Sequence, residues 1–311
     1  MSKFLVTGGA GFIGSHIVER LVKDKQYVRV LDNFSSGKIA NLENVKNKID
    51  LIKADICSKE SCLKATKNID FVLHQAALRS VPKSMNAPHE YNRVNIDGTL
   101  NMLEAARENK VKRFVFASSS SVYGEVNVFP EVETFIPSPI SPYALSKLTG
   151  EHYCKIFSLH FGLPAIALRY FNVFGPRQAL DDEYAVVIPK FINCLLNNQQ
   201  PPIFGNGKQS RDFTFVQNVV EANLLAAKAS KLNYGVFNVA GGKDTTILDL
   251  VKILNEILGK DIGALLLAKR KGDVFKTLAD IKSSGKILKY RPVVDFIAGL
   301  KITAGYWKNN A

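Results

Sequence analysis

K-F-L-V-T-G-G-A-G-F-I-G, Lys3 to Gly14, decides the fold of this 311-residue chain. Lys3 to Thr7 reads as a short buried strand, and beyond the glycines Ile13, Ile17 and Leu21 recur on one side of a helix. Glycines 8, 11 and 14 form G-x-x-G-x-x-G between the two elements. Gly8 permits the tight turn, Gly11 lets the backbone approach a pyrophosphate, and Gly14 lets helix pack on strand. The helix start then aims free N–H groups at the anion. A second strand, Tyr27 to Leu31, ends in Asp32. An acid there accepts from both ribose hydroxyls and repels a 2′-phosphate, which favours NAD over NADP. Phe12 and Ile13 at the helix start, and Asn33, Ser35, Ser36 and Gly37 after the acid, complete the expected dinucleotide contacts in this stretch.

The alternation continues outward. A strand from Asp50 to Lys53 leads to Asp55-Ile56, where a carboxylate can meet the adenine amine. One from Ile69 to Leu73 leads to His74-Gln75-Ala76-Ala77, whose small residues let the cofactor lie close. His74 itself reads as a satisfied strand-end histidine. A helix from about Tyr91 to Asn109 turns Val94, Leu100, Leu103 and Ala106 inward and carries Asn95, a candidate cofactor contact. Arg113 to Ala117 is the next strand, followed by the hydroxyl cluster S-S-S-S at 118–121. Strands and helices in this order predict an α/β fold, a doubly wound parallel sheet with ligand at the carboxyl ends of its strands.

Tyr143 and Lys147 follow Pro142 at a predicted helix start. Positions four apart share a helix face, so the ammonium can stand beside the phenol and favour the phenolate, as general acid–base work near neutral pH requires. After a strand from Ala165 to Tyr170, glycine, proline and asparagine become frequent and the alternation weakens. A smaller mixed α/β substrate region is expected to begin at Gly175. The expected division is 1–174 plus about 212–239 for the dinucleotide domain, and 175–211 plus 240–311 for the other. Segments around 212 to 238 are expected to rejoin the main sheet.

Composition narrows the classes. Hydrophobic residues make up 46% of the chain, and no apolar run approaches the ~20 residues of a membrane helix. The N-terminus enters the first strand directly, without a signal peptide. Four cysteines form no C-x-x-C and five histidines no H-E-x-x-H, so neither a disulfide framework nor a metal site is expected, and the cytoplasm is the expected compartment. The net charge of +13 is spread along the chain without a basic arm or nucleic-acid motif. It suits a doubly anionic small ligand rather than nucleic acid.

T-G-G-A-G-F-I-G, Asp32, S-S-S-S-V-Y-G, Y-x-x-x-K and L-R-Y-F-N-V-F-G-P-R together resemble the extended short-chain dehydrogenase/reductases over essentially the whole chain. More narrowly they resemble the nucleotide-sugar 4-epimerases. Q-A-A-L-R-S-V-P, N-I-D-G-T-L-N-M-L-E-A-A-R, Y-A-V-V-I-P-K-F and G-N-G-K-Q-S-R-D-F-T-F-V are similar to the subgroup acting on UDP-N-acetylglucosamine. The resemblance implies Tyr143 as catalytic base, Lys147 as the residue that lowers its pKa and binds the nicotinamide ribose, Ser119 as the catalytic hydroxyl and Ser120 as its helper. Tyr170 is expected on the cofactor side. Asn172 would bind the sugar diphosphate, Arg211 and Arg270 its phosphates and Asp273 a ribose. Arg79, Val186 and Val187 complete the expected substrate contacts. Relatives are commonly homodimers through the long helices near Tyr91 and Tyr143.

The implied reaction is epimerisation through a 4-keto sugar with NAD regenerated each turnover. Dehydratases on this scaffold carry an acid where this chain has Ser120 and Ser121, and a reductase using NADPH conflicts with Asp32. A non-catalytic dinucleotide sensor would not need both Tyr143 and Lys147. In the family, a residue after R-x-G-D sets pocket width. Counting back from Ala279-Asp280 places it at Thr277, whose small side chain admits N-acetylated as well as plain UDP-sugars. A UDP-glucuronate epimerase is the alternative, with Arg79 as the extra cation.

Overall fold

The computed structural model describes residues 1–180, 187–269 and 274–310. The first half alternates β1 (Lys3–Thr7), α1 (Phe12–Lys23), β2 (Tyr27–Asp32), β3 (Asp50–Lys53), α2 (Lys59–Thr66) and β4 (Phe71–His74). Next come α3 (Val81–Asn86), α4 (Pro88–Tyr91), α5 (Gly98–Glu108), β5 (Arg113–Ser119), α6 (Pro142–His160) and β6 (Ala165–Tyr170). The short strands β7 (Val173–Phe174), β8 (Pro202–Phe204), β9 (Ser210–Asp212) and β10 (Thr214–Phe215) lie outside the main sheet, with α7 (Val187–Leu196) among them. After α8 (Val216–Lys228), β11 (Tyr234–Val239) returns to it. β12 (Asp244–Thr246), α9 (Ile247–Leu258), β13 (Leu265–Leu267), α10 (Lys282–Ile287) and α11 (Phe296–Asn310) complete the described chain.

The main sheet runs β3-β2-β1-β4-β5-β6-β11, every pair parallel. Its order reverses between β1 and β4, where a doubly wound sheet opens a crevice at the carboxyl ends of its strands. Because side chains alternate along a strand, each central strand feeds two cores. Phe4 and Val6, Val115 and Ala117, Ile166 and Leu168 enter the core under α1 and α8. Leu5, Phe114 and Phe116, Ala165 and Ala167 enter the core under α2, α5 and α6. Burial on both faces explains the continuous apolar reading of these strands, and each fully buried large side chain contributes about 1.5–3 kcal/mol.

Two local features aim α6. Ser141 caps its start, accepting from Ala144 N at 3.1 Å, and Pro142 follows. Gly150 lets the helix press on β5, since a Cβ there would lie 2.3 Å from the Phe116 ring. Tyr143 is thereby fixed in the first turn, with Lys147 one turn deeper.

The helix expected over 91–109 begins earlier, in α4, and widens into a π segment from Asn92 to Asp97 before α5. Such single wide turns are uncommon and cannot be seen in apolar spacing. The expected return of 212–215 to the main sheet does not occur. β9 pairs antiparallel with β12, and β10 pairs with β7. Only β11 from that span joins the sheet, against β6. Conversely, Leu288 and Tyr290, inside the span 240–311, bury into the core under α1 and α8. The smaller core gathers α7, α9 and α11 around Phe174, Phe191, Leu250 and Leu300.

Candidate active site

A cavity of ≈ 1480 Å³ runs from the glycine turn, across the carboxyl ends of the sheet, to the smaller core. At its first end Gly8 sits at φ +64° and its N–H bonds Leu31 O at 2.8 Å. A Cβ on Gly14 would lie 2.1 Å from Gly8 O, so helix and turn meet in contact that only glycine allows. α1 has no side-chain cap at Gly11, which leaves its first N–H groups facing the cavity beside Phe12 and Ile13. Buried Asp32 accepts from Ala10 N at 2.9 Å and Phe34 N at 2.8 Å, holding the turn to the following loop. That loop brings Asn33, Ser35, Ser36 and Gly37 to the wall. Asn33 donates to Asp55 at 2.9 Å. Burial works against the Asp55 carboxylate, but the Cys57 and Asn33 N–H groups outweigh it and hold its pKa below the ordinary value. Ile56, Gln75, Ala76 and Ala77 also line the wall. An uncapped helix start, a cradle that a Cβ would fill and an acid at the end of β2 fit a dinucleotide of the NAD type.

Tyr170 also lines the cavity, held by Gln75 and Asn223, with its hydroxyl 3.2 Å from Gln75 Oε1 and 2.8 Å from Asn223 Nδ2. Asn95 is a correction. It is buried and clamps the loop after β4 through Leu78 N at 2.8 Å, Leu78 O at 2.9 Å and Ser146 at 3.0 Å, and does not reach the cavity wall. Its place in the π segment supplies that reach, and a helical asparagine gives no sign of it. His74 is the satisfied histidine expected, between Thr7 at 2.8 Å and Thr99 at 3.1 Å.

In the middle stand Ser119, Ser120, Tyr143 and Lys147, all on the wall. The Ser119 oxygen accepts from Ser121 N at 3.2 Å and lies 2.9 Å from the Ser121 hydroxyl. Lys147 is buried and donates to Ala117 O at 2.8 Å, with its Nζ 5.9 Å from the Tyr143 ring centre. The expected effect of this lysine on the phenol is not the governing one here. Burial pushes the Tyr143 pKa above its ordinary value, the Ser119 hydrogen bond opposes it, Tyr91 adds to the rise, and the favourable charge comes from Arg79. The Lys147 ammonium is committed to a carbonyl, and burial lowers its own pKa to about 8.

At the far end Asn172, itself at φ +33°, donates to Asp212 O at 3.0 Å and Thr277 Oγ1 at 2.9 Å. Arg211 is tied to Ser210 O at 2.9 Å and Phe275 O at 3.2 Å. Arg79, Val187, Arg211 and Thr277 all line the cavity. Val186, Arg270 and Asp273 lie outside the described residues.

Sequence reasoning missed several wall residues. Arg177, at φ +67°, bonds Asn41 O at 3.0 Å, His16 at 2.8 Å and Glu19 at 2.6 Å, pinning α1 to the loop after β7. Glu131, Gln178, Tyr306 and Trp307 also reach the cavity from distant parts of the chain. Neighbouring residues gave no signal for them. Beneath the wall, Asp212 accepts from Gly241 N at 2.9 Å, Gly242 N at 3.1 Å and Ala279 N at 3.2 Å. Among the described residues there is no cluster able to hold a metal, and no helix long and apolar enough to cross a membrane.

The sequence model of the NAD dependent epimerase/dehydratase family matches residues 4–240. The chain belongs to this family. It is similar to the UDP-N-acetylglucosamine 4-epimerase from Methanobrevibacter ruminantium M1, solved in complex with UDP-N-acetylmuramic acid. Identity is 44% and the TM-score 0.95, covering 100% of this chain and 99% of that one. It is also similar to the UDP-glucuronic acid 4-epimerase from Bacillus cereus, solved with UDP-glucuronic acid and NAD, at 34% identity and TM-score 0.90, covering 99% and 100%. A putative UDP-glucose 4-epimerase of Methanocaldococcus jannaschii is 40% identical over 98% of each chain. Membership of the extended short-chain dehydrogenase/reductase nucleotide-sugar epimerases therefore holds, with isomerase as the enzyme class and NAD as the cofactor.

Proposed function

We propose that the protein is a UDP-sugar 4-epimerase that interconverts UDP-N-acetylglucosamine and UDP-N-acetylgalactosamine, and also UDP-glucose and UDP-galactose. The observation that carries the N-acetyl assignment is Thr277: a small side chain on the cavity wall, its hydroxyl tied back to Asn172 at 2.9 Å. A tied, short side chain leaves open the space that a bulky residue would fill.

In this reading Tyr143 takes the proton from the sugar 4-hydroxyl, with Ser119 as its hydrogen-bond partner. Lys147, anchored on Ala117 O, presents its remaining donors to the cofactor ribose. NAD, when bound, takes the hydride from carbon 4 and returns it on the other face, and its ring charge favours the phenolate that burial disfavours. Asn172 and Arg211 hold the diphosphate, with Arg270 as a further phosphate ligand and Asp273 as a ribose ligand. Arg supplies the paired donors that a phosphate accepts. The protein is proposed to work as a cytoplasmic homodimer through α4, α5 and α6, whose Leu145, Ile156 and Leu159 are exposed along one helix, and to serve polysaccharide biosynthesis.

Proton NMR of the purified protein, with each UDP-sugar supplied separately and no reductant, tests the reaction. Conversion to the 4-epimers is expected. Thr277→Tyr is expected to lower kcat/KM for UDP-N-acetylglucosamine at least about tenfold relative to UDP-glucose; an unchanged ratio would overturn the N-acetyl assignment. Arg79 on the wall supports a second reading, UDP-glucuronate epimerisation, which the same assay measures.

A further inference from the structure

Glu131 lines the cavity, yet no step of the proton-transfer chemistry uses it. Only 2% of it is exposed, and its Oε1 has no hydrogen-bond partner. A buried carboxyl oxygen without a donor is expensive, and a persistent one calls for an explanation. Main chain holds the residue in place. Glu131 N donates to Leu278 O at 2.6 Å, and Glu131 O accepts from Asp280 N at 2.8 Å and Asn238 Nδ2 at 3.0 Å. Its carboxyl accepts from the Leu278 N–H. Leu278 directly follows Thr277, so Glu131 stands at the end of the cavity that Thr277 and Asn172 wall.

The charges around it are mixed. Asp212 lies near and repels its anion, while Arg169 attracts it. Arg169, however, is already neutralised by Glu151 through two bonds, 2.9 and 2.7 Å. Burial, and the Asp212 charge behind it, push the Glu131 carboxyl up to about 7 despite the Leu278 N–H. This end of the cavity is therefore poor ground for another negative charge, although the chain as a whole is strongly basic.

We infer that Glu131 determines which sugar the site accepts: its free oxygen takes a hydrogen bond from a hydroxyl or amide N–H of a neutral sugar, and its charge rejects a sugar that carries a carboxylate. The inference rests on the reading of the cavity as a UDP-sugar site and narrows it to neutral sugars. Arg79 does not offset the rejection, because its charge is felt at Tyr143 and is no named neighbour of Glu131.

Calorimetric titration of UDP-N-acetylglucosamine and UDP-glucuronate into the NAD-loaded protein tests this, with Glu131→Gln and Glu131→Leu beside the wild type. Wild type is expected to bind the neutral sugar at least about tenfold more tightly. Glu131→Gln removes the charge and keeps the shape, and should move the ratio towards the uronate about tenfold. Glu131→Leu should weaken the neutral sugar about 3- to 10-fold through the lost hydrogen bond. Equal ratios in wild type and Glu131→Gln, with only the melting temperature changed, would overturn the inference and leave Glu131 as a structural partner of Arg169. If the leucine variant does not fold, the glutamine variant decides alone. NMR turnover on the same samples separates the two ideas. Binding that follows the expected ratio without epimerisation removes the proposed reaction, whereas epimerisation with an unchanged ratio removes only the role of Glu131.

Discussion

At one end of the cavity the contacts come from main chain near in sequence; at the other they come from side chains that the fold collects from afar. The nucleotide end is a turn, a helix start and one acid within the first 32 residues, and its shape depends on Cβ atoms being absent at Gly8 and Gly14. The sugar end joins Glu131, Asn172, Asp212 and Thr277, residues up to 146 apart, through hydrogen bonds that converge on Asp212 and Thr277. The first arrangement is stiff and general to any chain that binds a dinucleotide. The second can be altered one side chain at a time without disturbing the first. Substrate choice in such a protein is free to change while the cofactor stays the same.

Tyr143 lies between the two ends and belongs to the chemistry of both. Tyr143→Phe should lower kcat by about 10²- to 10⁴-fold, the usual worth of a positioned acid–base group, while the bound NAD content and UDP affinity remain near wild type. A kcat within tenfold of wild type would show that proton transfer is carried elsewhere in the cavity. Pre-steady-state NMR or coupled assays on matched holoprotein measure it.

Asp212→Ala strikes the sugar end alone. It leaves three buried N–H donors, on Gly241, Gly242 and Ala279, without their acceptor. At about 1–3 kcal/mol each, the loss should lower the melting temperature by at least roughly 5 °C. KM for the sugar should rise with NAD content unchanged. If NAD is lost as readily as sugar affinity, the two ends are mechanically one unit and the comparison fails.

The same contrast explains how much of the molecule could be read from its sequence. The sheet order, α1, and the placement of Gly8, Asp32, Ser119, Tyr143 and Lys147 follow from local signals: glycine spacing, apolar runs and strand ends. Asn95 was legible as a polar residue on a helix, but its clamp on Leu78 depends on a π turn that leaves no periodic trace. The expected action of Lys147 on Tyr143 assumed that sharing a helix face is enough. Burial gave the ammonium a closer partner in Ala117 O. Glu131 was invisible for a plainer reason. Nothing near it in the sequence marks a ligand, and its role comes from Leu278 and Asp212, 147 and 81 positions further on.

The two ends also titrate in opposite directions. His74, and His16 near the glycine turn, are held neutral, with pKa values of about 3 and about 4, burial being the first cause in each and the Lys147 and Arg177 charges adding to it. The unfolded chain protonates first, so their contribution is whole above about 6.5 and is lost as pH falls towards 3. Glu131 and Asp212 behave in reverse. Burial raises both to about 7, so the folded state holds protons that the unfolded one has released. Their contribution is whole below about 4 and is lost as pH rises through 7. Over pH 4.5 to 6.5 the two effects oppose each other, and the wild-type melting temperature should change little. Single variants uncover each slope. Glu131→Gln should gain stability relative to wild type as pH rises from 5 to 8, and His74→Gln should gain relative to wild type as pH falls from 6.5 to 4. Each gain should be on the order of 1 kcal/mol, read from melting curves across pH. Parallel curves for wild type and both variants would mean that neither group changes its proton affinity on folding, and the acid-lined character given to the sugar end would go with it.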